Sequence, residues 1–439
     1  MQEIAKNKLY IAVCGLIDSG KSTFIKTAVK LLNNMDLPID SLCDEHERGI
    51  TIKQSSIACP YHGIDFVFLD CPGHKEYSEE IDSGLSKASI LIKIVDSTRE
   101  EESLEYLKFI DYRASVYGNR IKNTFTLYSK SEKVDNFSYD AYNNHPHFIH
   151  VVRTMLDEIT RKAKRNKKNY FINPIETAQR VIKMAFELEK HKNPTLMCSY
   201  GKDSVVLLQM AKMAGILDKV KILYLDSGFD MDGISEEYKK EVQKYFGIQV
   251  IPFRGVPKGW NFENHSIHEI MKAKASAITN VLNKYKSELT FIGSRRHEGD
   301  GTRAKDKFFA IRDKNGKADL YYPKLEIYGQ ENAHMESLYD LDYANCRVSP
   351  LLDFTEIDIW KIIDHFKLPV CQDYFSKDGL RYRSLGDKQT TVPIKSNAKT
   401  IPEIIKEIEL SSDTERICRS TQDNSEKYGM EKIRSVGFF

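Results

Sequence analysis

Nowhere in these 439 residues do enough apolar residues follow one another to cross a membrane, since a spanning helix needs a run of about 18 or more. A charged-then-apolar leader is also missing. The chain goes directly into Leu9-Tyr10-Ile11-Ala12-Val13, so no secretory signal is expected. The eight cysteines form no C-x-x-C pair and no Cys/His spacing suited to zinc. Isolated buried thiols in a reducing cytoplasm are the expectation, and the localisation expected is cytoplasmic. An excess of one charge is lacking too: 65 Lys and Arg stand against 63 Asp and Glu, leaving +2. Such a balance implies no polyelectrolyte partner, nucleic acid included. The basic stretch Arg161-Lys162-Ala163-Lys164-Arg165-Asn166-Lys167-Lys168 has no aromatic platform beside it and reads as a solvated helix end. Short-period repeats and low-complexity segments are absent. The length suggests two or three domains.

What is present is two strand–loop–helix units with anion-binding chemistry. The first runs from the strand Leu9 to Cys14 into Gly15-Leu16-Ile17-Asp18-Ser19-Gly20-Lys21-Ser22, then a helix from Thr23 to Leu32. This is G-x-x-x-x-G-K-[ST] in the required setting. Glycine backbone approaches phosphates closely, Lys21 reaches the β- and γ-oxygens, and the Ser22 hydroxyl suits Mg²⁺. Two further motifs follow: Arg48-Gly49-Ile50-Thr51-Ile52, and Leu69-Asp70-Cys71-Pro72-Gly73-His74 at the end of the apolar strand 65–69. Asp70 is placed for Mg²⁺ through water, Thr51 for completing its shell, and the Gly73 amide for a γ-phosphate. His74 stands where an attacking water would be oriented, or is a plain surface histidine.

The second unit is Ser199-Tyr200-Gly201-Lys202-Asp203-Ser204, between the apolar run Thr195-Leu196-Met197-Cys198 and the helix 205–211. A polar loop opening onto a helix N-terminus, with a lysine, is a phosphate cradle. The alternative is a serine-rich helix cap. Strands and helices then alternate: strand 220–226 ending at Asp226, helix 235–245, strand 248–253. This pattern predicts a parallel sheet covered by helices, with ligands beyond the carboxyl ends of its strands. Asp226 lies at such an end and is either a ligand contact or a turn residue. After the strand 289–293, Arg295, Arg296, Arg303 and Lys305 crowd together, and guanidinium forks suit sulfate and phosphate oxygens.

The three N-terminal motifs resemble translational-type GTPases and the GTPase subunit of bacterial ATP sulfurylase, over about residues 8 to 135. The resemblance implies GTP binding through Gly15, Asp18, Ser19, Gly20, Lys21, Ser22, Thr23, Asp70 and Gly73, with Mg²⁺ on Ser22, Thr51 and Asp70. The family's guanine-reading N-K-x-D is Ser129-Lys130-Ser131-Glu132 here. Lys130 can stack its stem on a base and Glu132 can still accept from guanine, but Ser129 cannot repeat an Asn amide's bonds. The S-A-[KL] loop is not evident; the strand end Phe171-Ile172-Asn173-Pro174 is the candidate for it.

The C-terminal half carries the Ser199–Ser204 loop, the arginine cluster, Thr355-Glu356-Ile357-Asp358-Ile359-Trp360, Arg381-Tyr382-Arg383-Ser384-Leu385-Gly386, Thr414-Glu415-Arg416 and a G-F-F ending. As a set these resemble the small, catalytic subunit of bacterial sulfate adenylyltransferase, over about residues 175 to 439. Sulfonucleotide reductases share the loop and the T-E-x-D-x-W helix but use an E-C-G-x-H cysteine. Cys418 lacks that setting. The segment from Cys371 to Leu380 is shorter than in the resembled enzyme. The fold expected is two doubly wound α/β domains: a P-loop G domain over 1–172 and an adenine-nucleotide α-hydrolase-like (PP-loop) domain over 173–439.

The resemblance implies that ATP and sulfate give adenylyl sulfate and pyrophosphate. Ser199, Tyr200, Gly201, Lys202, Asp203, Ser204 and Asp226 would hold ATP. Lys202, Arg295, Arg296, Arg303 and Lys305 would serve catalysis, with His74 acting on GTP. The relatives work as two chains, whereas both activities here share one. Two alternatives stay open: a nucleotide-binding regulator that does not turn over, and adenylylation of a different acceptor. The partners expected are small molecules, with a homo-oligomer left open.

Overall fold

The structure, a computed structural model, describes residues 8–33, 55–61, 64–116, 121–165, 171–187, 192–295, 308–312, 318–319 and 345–410. Thr51 and its motif, Arg296, Arg303, Lys305, Thr414-Glu415-Arg416 and Cys418 lie outside the described residues. Among the described residues the chain builds two large sheets, both mostly parallel, and one two-stranded antiparallel sheet.

In the first, β1 (Lys8–Gly15) leads to α1 (Lys21–Asn33), β2 (Ser55–Tyr61), β3 (Ile64–Asp70), α2 (Ser78–Lys87), β4 (Ile90–Asp96), α3 (Glu100–Val116), β5 (Asn123–Ser129), α4 (His145–Arg165) and β6 (Phe171–Ile172). The strand order is β2-β3-β1-β4-β5. β3, β1, β4 and β5 run parallel, and β2 is an antiparallel edge. Every residue of β1 is buried, as expected of a central parallel strand covered on both faces. β6 pairs antiparallel with the start of β1, at Lys8 and Leu9. This places Phe171 and Ile172 away from the nucleotide loop, so the candidate S-A-[KL] strand end is corrected. Instead Phe137–Tyr139 pairs with Tyr128 of β5.

The second sheet belongs to α5 (Pro174–Glu187), β7 (Thr195–Met197), α6 (Lys202–Met213), β8 (Lys221–Asp226), α7 (Glu236–Phe246), β9 (Val250–Arg254), α8 (Ile267–Tyr285), β10 (Leu289–Phe291), β11 (Phe309–Arg312), β12 (Ala318–Asp319), β13 (Asn345–Val348) and α9 (Glu356–Phe366). A small hairpin, β14 (Leu380–Arg381) with β15 (Ile394–Lys395), and α10 (Ile401–Leu410) follow. The order is β12-β11-β13-β10-β7-β8-β9. β13, β10, β7, β8 and β9 are parallel.

Local chemistry sets the helix starts. The Asn173 side chain accepts from the Ile175 amide at 2.9 Å, and Pro174 takes the first helical position, where its missing N–H costs nothing. Thr355 and Asp358 form a reciprocal capping box that starts α9. One face of α5 is apolar and buried at Ala178, Val181, Ile182 and Ala185. The five cysteines with described surroundings, Cys14, Cys71, Cys198, Cys346 and Cys371, are unbridged and buried. No helix among the described residues is long and apolar enough to cross a membrane.

Strand order fixes where ligands can sit. From β7 the chain proceeds outward through β8 and β9, then returns to place β10 on the other side of β7. That reversal opens a crevice at the carboxyl ends of β7 and β10. In the first sheet, β3 and β4 flank β1 in the same way.

Candidate functional site

The N-terminal site is a cavity of about 370 Å³ at the carboxyl end of β1. Ile17, Asp18, Gly20, Lys21, Ser22 and Thr23 form one wall, with Gly73 packed against the backbone of that loop. Lys21 is buried, and its ammonium donates to the carbonyls of Gly15 at 3.0 Å and Leu16 at 2.8 Å. Burial lowers its pKa, while Asp70 opposes that shift. The Ser22 hydroxyl donates to Asp70 Oδ2 at 2.9 Å. Asp70 Oδ1 is buried and has no hydrogen-bond partner among the described residues. Burial pushes the Asp70 pKa up, against the pull of Lys21 and Ser22. A hydroxyl, an under-satisfied carboxylate and a nearby phosphate loop are the hard-oxygen set that suits Mg²⁺.

The far wall is made by Ser129, Lys130, Tyr139, Ala141 and Tyr142. Ser129 ties this wall to the phosphate loop, its hydroxyl lying 2.7 Å from the Ser19 carbonyl and 3.1 Å from that of Val95. Lys130 sits at φ 53° and pairs with Asp96 Oδ2 at 2.7 Å. Burial works against the Asp96 charge, yet bonds from Lys130, Thr98 and Arg99 outweigh it and hold the pKa at about 2. Glu132 is exposed and is not part of the cavity wall. His74 is half exposed, 3.7 Å from Glu76, and also stands outside the wall. Tyr139, Ala141 and Tyr142, which follow the bridge between Tyr128 and Ser138, line the cavity beside Ser129 and Lys130.

The C-terminal site surrounds the loop between β7 and α6. Tyr200 adopts a left-handed φ of 59°, fixed by ring contacts with Tyr224 and Tyr238 and by the Tyr238 hydroxyl donating to its carbonyl at 3.1 Å. Gly201, in extended conformation, is the N-cap of α6. Ser199 is exposed, Gly201 and Asp203 are half-buried, and Ser204 is buried. The Ser204 hydroxyl donates to the Gly201 carbonyl at 2.9 Å.

Lys202 lies beneath the loop, only 2 % exposed. Its ammonium donates to the Arg383 carbonyl at 3.1 Å, sits 3.5 Å from Asp203 and faces the Tyr374 ring at 5.5 Å. The Lys202 amide donates to the Tyr374 hydroxyl at 3.0 Å. Arg295, at the end of β10, is fully buried and donates through Nε to Asp203 Oδ1 at 2.5 Å. The backbone around Gly293 runs close by: a Cβ there would stand 3.3 Å from the Asp203 carbonyl. The structure therefore brings Arg295 and the phosphate loop together. Asp226, half-buried at the end of β8, accepts from the Gly228 amide at 3.0 Å, in the manner of a turn residue. Beside the loop, burial pushes the Cys198 thiol up to about 11.

Two family models match the chain. The elongation factor Tu GTP binding domain matches residues 6–113, and the phosphoadenosine phosphosulfate reductase domain matches residues 193–393. Sulfate adenylyltransferase subunit 2 of Sulfurimonas denitrificans is 30% identical over 284 residues, which is 56% of this chain and 90% of that relative. The chain belongs to this family. The subunit 2 protein of Psychromonas ingrahamii is 29% identical over 282 residues, covering 56% of this chain and 91% of its own length. A phosphoadenylyl-sulfate reductase from Candida auris, solved as a phosphate complex, has a TM-score of 0.33 at 12% identity and covers 49% of this chain and 90% of its own.

Within this subunit 2-family half, the residues that the sequence reading missed are Tyr374 and the pair Arg383–Glu356. Arg383 Nε meets Glu356 Oε2 at 2.9 Å, and both come from motifs that had been singled out only as sets. Tyr374 sits inside the shortened segment 371–380. Nothing local in that segment foretells that its hydroxyl closes the first turn of α6.

Proposed function

We propose that the C-terminal domain is a sulfate adenylyltransferase and that nucleotide hydrolysis in the N-terminal domain is coupled to it. The observation that carries this reading is Arg295: a buried guanidinium at the end of β10, bonded to Asp203 in the first turn of α6, at the sheet's switch point. The two names agree with it, since the subunit 2 relatives are sulfate adenylyltransferases and the other half matches a GTP-binding domain.

The chemistry asks for no protein nucleophile. A sulfate oxygen attacks the α-phosphorus in line, the bond from α-phosphorus to the bridging oxygen breaks, and pyrophosphate leaves with that electron pair. Positioning and charge neutralisation are then the protein's whole contribution. Ser199, Gly201 and Ser204, with Lys202, would hold the β,γ-phosphates, and Asp203 would be a Mg²⁺ ligand directly or through water. Lys202 sets a positive charge beneath the loop. Arg295, with Arg296, Arg303 and Lys305, would take sulfate and the α-phosphate. In the N-terminal pocket Ser22 and Asp70 would hold Mg²⁺, which offsets phosphate charge. Lys21 would exchange its two backbone carbonyls for phosphate oxygens.

ATP–pyrophosphate exchange on the purified chain tests the reading. Exchange that requires sulfate and rises with GTP is expected. Exchange indifferent to sulfate would make the domain an adenylylating enzyme for another acceptor, and sulfate dependence without any GTP effect would reject coupling.

The base wall supports a finer expectation. A site that discriminates strongly does so by leaving buried polar groups unpaired with the wrong ligand, at about 10⁴-fold or more. This wall offers Ser129, Lys130, Tyr139, Ala141 and Tyr142 but no carboxylate. GDP and ADP should therefore bind within about 100-fold of each other, read by fluorescence titration. A preference near 10⁴ for GDP would mean that Glu132 swings onto the base.

A further inference from the structure

The first strand of the N-terminal sheet does more than carry the phosphate loop. Lys8, its first residue, is fully buried, which is costly for an ammonium unless a partner neutralises it. The partner comes from the other half of the chain. Lys8 Nζ is 3.0 Å from Asp358 Oδ2 and also donates to the Asp353 carbonyl. Asp358 is the reciprocal residue of the α9 capping box, accepting from the Thr355 amide at 2.8 Å. Burial disfavours its charge, but Lys8 and the Thr355 bonds hold its pKa below the ordinary carboxylate value.

From Asp358 the contacts continue to the adenylyl site. Two residues earlier on the same helix, Glu356 grips Arg383 at 2.9 Å. The Arg383 carbonyl accepts from Lys202 at 3.1 Å, and α9 packs on α6. At the opposite end of β1, the Gly15 carbonyl is one of the two groups holding Lys21. Phosphates drawing Lys21 away would change the load on that strand end. The segment leaving for the second half, β6, is hydrogen-bonded to β1 at Lys8 and Leu9. One buried strand of about 25 Å thus has the nucleotide lysine at one end and the cap of α9 at the other.

We propose that Lys8 is a positioning residue: through Asp358 and α9 it makes the geometry of the Lys202 loop depend on what occupies the N-terminal pocket. This rests on the coupling reading above and names its route. Physical contiguity alone does not establish coupling, so the test must separate transmission from folding.

The variants are Lys8→Met, and Lys8→Met with Asp358→Asn. The second keeps an acceptor for the Thr355 amide and leaves no buried carboxylate uncompensated. On the full chain, three quantities are read: sulfate-dependent ATP–pyrophosphate exchange without GTP, the same with saturating GTP, and GTP affinity. In the double variant, basal exchange and GTP affinity should stay within about threefold of the parent, since neither residue touches nucleotide, while the ratio of stimulated to basal exchange falls to about one. A double variant that keeps the parental ratio overturns the role of Lys8 and leaves coupling standing. A parent chain with no stimulation overturns coupling itself, and this route with it. If Lys8→Met alone fails to fold, the double variant still decides.

Discussion

Lys202→Ala lowers sulfate-dependent ATP–pyrophosphate exchange by about 10² to 10³, the cost of removing one pre-placed charge stabiliser from an active site. Lys202 is the first residue of α6 and 2 % exposed, so its charge acts on the loop through little screening water. It is held there by the Arg383 carbonyl and by Asp203. Leaving pyrophosphate builds negative charge at the loop that this ammonium underlies. Alanine removes the charge and leaves its carbonyl acceptor without that donor. Because Lys202 belongs to the second sheet, the thermal unfolding transition of the full chain, unchanged from the parent, serves as the folding control. Exchange within tenfold of the parent, with that transition unchanged, would refute the role. Lys202→Arg is expected to recover little, because a planar guanidinium does not fit a slot shaped by the Tyr374 ring and one backbone carbonyl.

Gly73→Ala weakens nucleotide binding at the N-terminal pocket by at least about 100-fold. A Cβ at Gly73 would lie 2.5 Å from the Ile17 nitrogen, 2.7 Å from the Leu16 carbonyl carbon and 2.9 Å from the Gly15 oxygen. All three are backbone atoms of the phosphate loop, so no side chain can swing aside. The loop must move, and overpacking of this kind costs about 1–3 kcal/mol even before a ligand is considered. Misplacing the amides that face phosphate costs further affinity. Lys21→Ala should act in the same direction by removing charge instead of space. In both variants exchange measured without GTP should be unchanged. Titration with a fluorescent guanine nucleotide reads the first effect, and an affinity within threefold of the parent for Gly73→Ala would show that the loop has room to give.

The parts of this molecule legible in the sequence are those whose signal is local. Gly15 to Thr23 and Ser199 to Ser204 were readable because strand, loop and helix follow each other without interruption, and the phosphate-binding geometry depends on spacing within a few residues. The capping box at Thr355 and Asp358 is legible as T-x-x-D ahead of an apolar helix, but the bond of Asp358 to Lys8 is not. The rest depends on partners far away along the chain. Tyr374 reaches an amide 172 residues before it, and no period or spacing marks such a pairing. Lys202 looked like a phosphate ligand by type, and only packing shows that it lies under the loop. The base wall misled for another reason. The cavity is lined by Tyr139, Ala141 and Tyr142, which carry no motif and follow β5 directly, whereas Phe171 and Ile172 pair with the start of β1.

The anchor of Lys8 also has a timetable. Asp353 follows it by 345 residues, and a ribosome adding about 5–20 residues per second needs roughly 20 to 70 seconds to span that gap. In the second half of this interval, once β6 has been made, the nascent N-terminal sheet has all its strands while its leading ammonium still waits in water for an acceptor. A chain that stalls or is cut before α9 therefore releases a G domain with a bare cation at the root of its central strand, chemically distinct from the same domain in the finished protein.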